Sequence, residues 1–175
     1  MLVRLPSRTS FDSPRYLAVV AQRGAWLGVL APELRGGRVG WISARRDVLV
    51  EPADWRIDVS LARRRVTVRA SGRVMQSFPV ATGAALTPTP TGTYGVTDRL
   101  RFSGGSPYGC CALALTGHQT AIAQGWGGGD RLAIHGTTNE ASIGTAVSHG
   151  CLRARRADVA RLVATVPLGT RVVVR

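Results

Sequence analysis

Apolar and polar residues alternate along most of the chain with a period of two, the spacing of a strand with one buried face. Ile57, Val59 and Leu61 alternate with polar neighbours, and so do Val66, Val68 and Ala70 after the triplet Arg63-Arg64-Arg65, which predicts a run of hairpins. Ser71-Gly72 predicts a turn into a strand over 73–82, which Gly83 ends. In Thr87-Pro88-Thr89-Pro90-Thr91-Gly92 two alternating prolines exclude a central strand, so an extended or edge segment is expected, leading into a strand at 93–97. Further short strands are expected at 110–115, 120–124 and 131–134, and a closing strand at 169–174. Only one segment has helical spacing: Val159, Leu162, Val163 and Val166 fall at i, i+3, i+4 and i+7, and Pro167 marks the stop. Upstream, 16–20, 26–30 and 39–42 read as three short strands of a small meander, separated by turn-rich pieces such as Leu34-Arg35-Gly36-Gly37-Arg38. The fold class is therefore mostly β with one late α-helix, plus a small N-terminal β-meander. A boundary near 51–54 gives units at 14–52 and 54–175.

Composition narrows the picture. The 175 residues are 45% apolar, enough to bury a core, and no apolar run approaches the roughly 18–20 residues of a membrane-spanning helix. The opening Met1-Leu2-Val3-Arg4-Leu5-Pro6 stops being apolar before a secretory core of about 7–15 residues forms, so no export signal is expected there. The net charge of +13 suggests a nucleic-acid partner. Its distribution argues against one: eight arginines and four acids fall in 1–53, and fifteen and six in 54–175, with no interleaved aromatic platform. No nucleic acid is expected as a partner. Unspecific attraction to an anionic polymer is.

Three cysteines cannot all pair within one chain. Cys110 and Cys111 are neighbours, a spacing that disfavours a disulfide, and they read as small apolar groups in a strand. Cys151 stands in Ser148-His149-Gly150-Cys151-Leu152-Arg153, with His135-Gly136 close before it. A thiol near an imidazole can transfer its proton and become a far better nucleophile. Gly150 permits a backbone conformation that other residues resist, and amides of such a turn can point at a developing oxyanion. Two other readings stay open on the residues alone. In one, His135 caps a strand and Cys151 fills the core; in the other, His135, His149 and Cys151 join Cys110 or Cys111 around a metal, although no zinc-type spacing is present. His118, in Thr116-Gly117-His118-Gln119, is expected to be an exposed loop residue.

The segment Ile134-His135-Gly136-Thr137 followed by Ser148-His149-Gly150-Cys151-Leu152-Arg153 resembles the signature of the YkuD-type L,D-transpeptidases. Pro88–Tyr94, Ser106-Pro107-Tyr108-Gly109, the helix start at 158–162 and Leu168-Gly169-Thr170-Arg171-Val172 are similar to family habits in the same order. The resemblance covers about residues 55–175 and implies a YkuD-like β-sandwich or barrel. Trp26 and Val29, with Gly40-Trp41-Ile42, resemble a short bacterial Src-homology-type barrel, truncated or leaning on its neighbour.

The resemblance implies a cysteine acyltransferase acting on peptidoglycan stem peptides, extracytoplasmic, with no cofactor and no metal. Cys151 would attack the carbonyl of the third residue of a stem, expel the terminal D-alanine and pass the acyl group to the amine of a second stem, giving a 3→3 crosslink. His135 would be the base, oriented through Gly136. His149 and Gly150 would shape the site and, with the Cys151 amide, form the oxyanion hole, while Ser148 orders the loop. Arg153 is read either as the holder of a substrate carboxylate or as a backbone tie. Tyr108 and Trp126 are candidates to line the cleft, and 125–129 to form a flap over it. The alternatives are hydrolysis by the same thioester, a papain- or NlpC-type hydrolase, and a non-catalytic wall-binding module. Chain order disfavours the papain type, because His135 precedes Cys151.

Overall fold

A computed structural model describes residues 2–45, 48–103, 105–122 and 130–175. The N-terminal meander consists of β1 (Ala18–Arg23), β2 (Trp26–Leu30) and β3 (Gly40–Ser43), all antiparallel. Gly24, at φ +55°, closes the first hairpin where Arg23 pairs with Trp26. The three strands form one sheet that leans on the larger unit, with the Ala18 methyl seated over Gly95, where a Cβ would come within 2.8 Å of it.

The larger unit begins with the hairpins the alternation predicts: β4 (Trp55–Ser60), β5 (Arg65–Ala70) and β6 (Arg73–Pro79). Ser71 and Gly72 turn the chain with φ +47° and +78°, the two left-handed positions of a tight hairpin. There follow β7 (Thr82–Gly83), β8 (Gly92–Arg101), β9 (Cys111–His118), β10 (Arg131–Gly136), β11 (Ala146–Ser148), β12 (Leu152–Ala154), α1 (Arg156–Thr165) and β13 (Arg171–Val174). Eight of these strands form one mixed sheet in the order β12-β10-β9-β8-β13-β4-β5-β6, and β7 and β11 pair beside it. β13 lies between β8, antiparallel, and β4, parallel. Val159, Leu162 and Val163 of α1 are buried with Val166 in the core against β8, β9 and β10. Among the described residues no helix is long and apolar enough to cross a membrane.

Three expectations change. The strand expected over 73–82 ends at Pro79, because Ala81 leaves β5 and exchanges main-chain hydrogen bonds with Arg153 at 2.8 and 3.0 Å. The strand expected at 120–124 is a turn over 120–122, since the Gln119 side chain accepts the Ala121 N–H at 2.9 Å and curls the chain; 123 and 124 lie outside the described residues. His118 is the last residue of β9 and is largely buried. Its ring donates Nε2–H to the Pro32 carbonyl at 2.8 Å and sets Nδ1 at 2.6 Å from Asp130.

Candidate active site

β10 and β12 run parallel with Ile134 opposite Leu152 and His135 opposite Arg153. Cys151 directly precedes β12, two residues before Arg153. The two-residue period of an extended chain therefore turns Cys151 to the face that carries Arg153 and His135. The thiol donates weakly to the Arg131 carbonyl, at 3.7 Å. β9 holds the other edge of β10, with Ala112 opposite His135. The site thus stands on neighbouring strands of one sheet, a rigid base for a reaction geometry.

His135 is only 4% exposed, and its Nδ1–H donates to the Gly136 carbonyl at 2.6 Å. A carbonyl only accepts, so this bond fixes the tautomer and leaves the lone pair on Nε2. The Tyr108 ring meets the imidazole edge to face, with centroids 5.2 Å apart. Burial brings the His135 pKa down to about 4; the bonds to the Gly136 and Tyr108 backbone oppose this, and the Arg153 cation adds to it. Burial pushes the Cys151 thiol up, against a backbone hydrogen bond with Ala133 and the Arg153 charge. At neutral pH the pair therefore rests as imidazole and thiol. The proton moves when the sulfur attacks, which is general-base activation.

The loop before Cys151 is held by its own hydroxyl. Ser148 Oγ accepts the Gly150 N–H at 3.0 Å and donates to the Cys151 carbonyl at 2.6 Å. Gly150 takes φ +115°, a conformation L side chains resist. Outside the loop, the Ser148 carbonyl accepts from the Ala84 N–H at 2.9 Å and the Thr87 hydroxyl at 3.0 Å. Because the Gly150 amide already donates to Ser148, Gly150 shapes the loop and the Cys151 amide is the candidate oxyanion donor. His149 is exposed at the rim of this loop. The main chain of Arg153 is tied to Ala81, and its charge acts on His135 and Cys151. Gly136 packs on Gly109 so closely that a Cβ on Gly109 would lie 2.8 Å from the Gly136 carbonyl carbon. Trp126 and the segment 125–129 lie outside the described residues.

Cys110 and Cys111 are not the two separate apolar thiols expected of them: their sulfurs are joined in a disulfide between neighbours. That pairing occupies two sulfurs of the metal reading and leaves Cys151 as the free thiol. Among the described residues no group of three or more His, Cys, Asp or Glu side chains is placed to hold a metal. Sequence reasoning overlooked the residues that hold the loop from outside, namely Ala84, Thr87 and Gln119. Ala84 and Gln119 stand in no motif, and in the sequence Thr87 marks only the start of a proline-rich edge.

Fold and site together define a β-sheet domain carrying a buried imidazole and a single free thiol on one face. A family model described as the YkuD L,D-transpeptidase catalytic domain matches residues 54–174, and the chain belongs to this family. The protein bearing the name L,D-transpeptidase YkuD in Bacillus subtilis (strain 168) is 42% identical over 120 residues, 69% of this chain and 65% of that protein. Its Bacillus licheniformis namesake is 37% identical over 147 residues, 81% and 79% of the two. The chain thus spans just under two thirds of the length of the first of these relatives. Among solved structures, a cysteine-to-serine mutant of an Enterococcus faecium L,D-transpeptidase matches with a TM-score of 0.58 at 17% identity, over 92% of this chain and 75% of that one. Mycobacterium tuberculosis L,D-transpeptidase 3, in complex with a faropenem-derived adduct, matches with a TM-score of 0.59 at 18% identity, over 78% and 67%. At these identities the likeness is one of fold.

Proposed function

We propose that this protein is an L,D-transpeptidase that uses Cys151 to acylate itself on peptidoglycan tetrapeptide stems, release D-alanine and form 3→3 crosslinks in the cell wall. The observation that carries the reading is the neutral His135, its Nδ1–H held by the Gly136 carbonyl, on the same face as the free thiol of Cys151. As Cys151 Sγ attacks the carbonyl of the third stem residue, its proton passes to His135 Nε2. The tetrahedral oxyanion accepts a hydrogen bond from the Cys151 N–H. Collapse breaks the bond to D-alanine, whose amine leaves with the proton from His135, and a thioester remains. The amine of a second stem then attacks the thioester and gives up a proton to His135, which returns it to the departing thiolate.

Arg153, whose charge bears on both His135 and Cys151, would hold a substrate carboxylate through its planar guanidinium. Tyr108, whose ring meets the imidazole of His135, would line the cleft. Peptidoglycan stems are the partners, the location is extracytoplasmic, and the arginine-rich surface adds attraction to anionic wall polymers.

Replacing the nucleophile is the direct test: Cys151→Ala should abolish D-alanine release from tetrapeptide stems while leaving the thermal transition unchanged. Turnover retained in that variant would sink the nucleophile assignment. The wild-type protein should gain the mass of one carbapenem on the peptide containing Cys151. Crosslinked dimers among the products distinguish transfer from hydrolysis, in which D-alanine appears without them.

A further inference from the structure

We propose that Gln119 is a positioning residue of this site: its buried carboxamide is the wall against which Gly150 is seated, and it thereby aims the Cys151 amide at the substrate oxyanion. The inference rests on the acyl-transfer reading above and adds to it a residue outside the signature.

Gln119 follows β9 and is 4% exposed. Both ends of its side chain are bound. Nε2 donates to the Pro88 carbonyl at 2.8 Å, and Oε1 accepts the Ala121 N–H at 2.9 Å. A flipped amide would set oxygen against oxygen and N–H against N–H, so the partners fix its orientation. Its main-chain N–H donates to the Asp130 carbonyl at 2.7 Å, which ties it to the entry of β10. The carboxamide is therefore held at several points.

This held group occupies the space a side chain at position 150 would need. A Cβ built on Gly150 would lie 3.2 Å from Gln119 Cδ and 3.3 Å from Cγ, and would overlap Nε2. Glycine at 150 answers two demands at once, a φ of +115° and the presence of Gln119. The Pro88 carbonyl that Gln119 holds belongs to the turn that braces the loop from its other side. Thr87 donates to the Ser148 carbonyl, Thr89 Oγ1 accepts the Gly83 N–H at 2.8 Å, and a Cβ on Gly83 would come within 2.6 Å of the Pro88 carbonyl carbon. Gln119 thus links the two walls between which Ser148–Cys151 is clamped. The peptide joining Gly150 to Cys151 carries the candidate oxyanion N–H, and its tilt follows the torsions of Gly150. Without the wall, glycine is the residue least able to keep those torsions by itself.

Two reactions of the same sulfur separate this role from a merely structural one. Acylation by a carbapenem passes through an oxyanion, whereas alkylation by iodoacetamide does not. Gln119→Met keeps the bulk without the hydrogen bonds, and Gln119→Ala removes both. In each variant, acylation followed by intact mass should slow by about tenfold or more, the scale on which oxyanion donors act. Alkylation should stay within about threefold of wild type, and D-alanine release should lose kcat with little change in KM. Equal slowing of both reactions, or acylation at the wild-type rate, overturns the proposal. Should Gln119→Ala fail to fold, Gln119→Met decides. A wild-type protein that is alkylated but never acylated would overturn the transpeptidase reading itself, a result distinct from any difference between variant and wild type.

Discussion

The loop that carries Cys151 and the N-terminal meander are attached to the same sheet by different means. Ser148–Arg153 is fastened mainly through its own backbone: Ser148 Oγ holds two of its peptides, Ala84 and Thr87 hold the Ser148 carbonyl, and Arg153 exchanges bonds with Ala81. The N-terminal region is fastened by side chains meeting buried carboxylates. The Thr9 hydroxyl donates to Asp98, a fully buried residue whose other oxygen has no hydrogen-bond partner among the described residues. Arg35 reaches Asp130 at 3.1 Å, and Pro32 accepts from His118. Backbone fastening fixes where a peptide amide points, as an oxyanion site requires. Side-chain fastening fixes which surfaces meet, and its loss should alter stability without altering chemistry.

The largest expected effect lies on the catalytic side. His135 is depressed from 6.5 to about 4 in the folded protein, so unfolding takes up a proton between those values. Its stabilising contribution is complete above pH 6.5 and lost as pH falls through about 4, a change on the order of 3 kcal/mol. Denaturant melts across that window should show this slope in wild type and lose most of it in His135→Asn. The acid limb of Cys151 acylation should likewise have its midpoint near pH 4. A midpoint near 6.5 would contradict a buried neutral base.

Ser148→Ala should come next. It leaves the Gly150 N–H and Cys151 carbonyl without their hydroxyl partner, costs about 1–3 kcal/mol, and slows acylation at least about tenfold. Thr9→Val should cost a similar ~1–3 kcal/mol by removing the hydroxyl that donates to the buried Asp98 carboxylate, yet leave the acylation rate unchanged. If it slowed acylation as Ser148→Ala does, the distinction between the two attachments would fail. Arg35→Ala should have the smallest effect, under about 1 kcal/mol in thermal melts, because its side chain is 65% exposed and its ion pair is screened.

What the sequence disclosed follows the range of the forces involved. The β4–β5–β6 hairpins and α1 were legible because their periodicities, and the turn at Ser71-Gly72, act between near neighbours. β11 and β12 are three residues each and owe their extended form to parallel partners far away in the chain, so no local pattern announces them. His118 sits beside Gly117 and reads as a turn, yet its partners Pro32 and Asp130 make it an interior residue. The site divides in the same way. Cys151, His135 and Ser148 were legible because they sit in a signature. Gln119 was not, because a lone glutamine acquires meaning only once Gly150 and Pro88 are folded against it.

The position of β13 in the sheet also governs how the molecule folds. Its pairing of Arg171 with Arg56 and Val174 with Val59 joins segments more than a hundred residues apart, and it separates β4 from β8. The early hairpins can form by themselves, but the two halves of the sheet become one only when this distant strand threads between them. Such a topology belongs with slow folders, on the order of milliseconds to seconds, because loop closure must precede the contacts that reward it. Until then β6, β5 and β4 present an open edge at β4. The sheet that carries the nucleophile is completed by its most distant pairing.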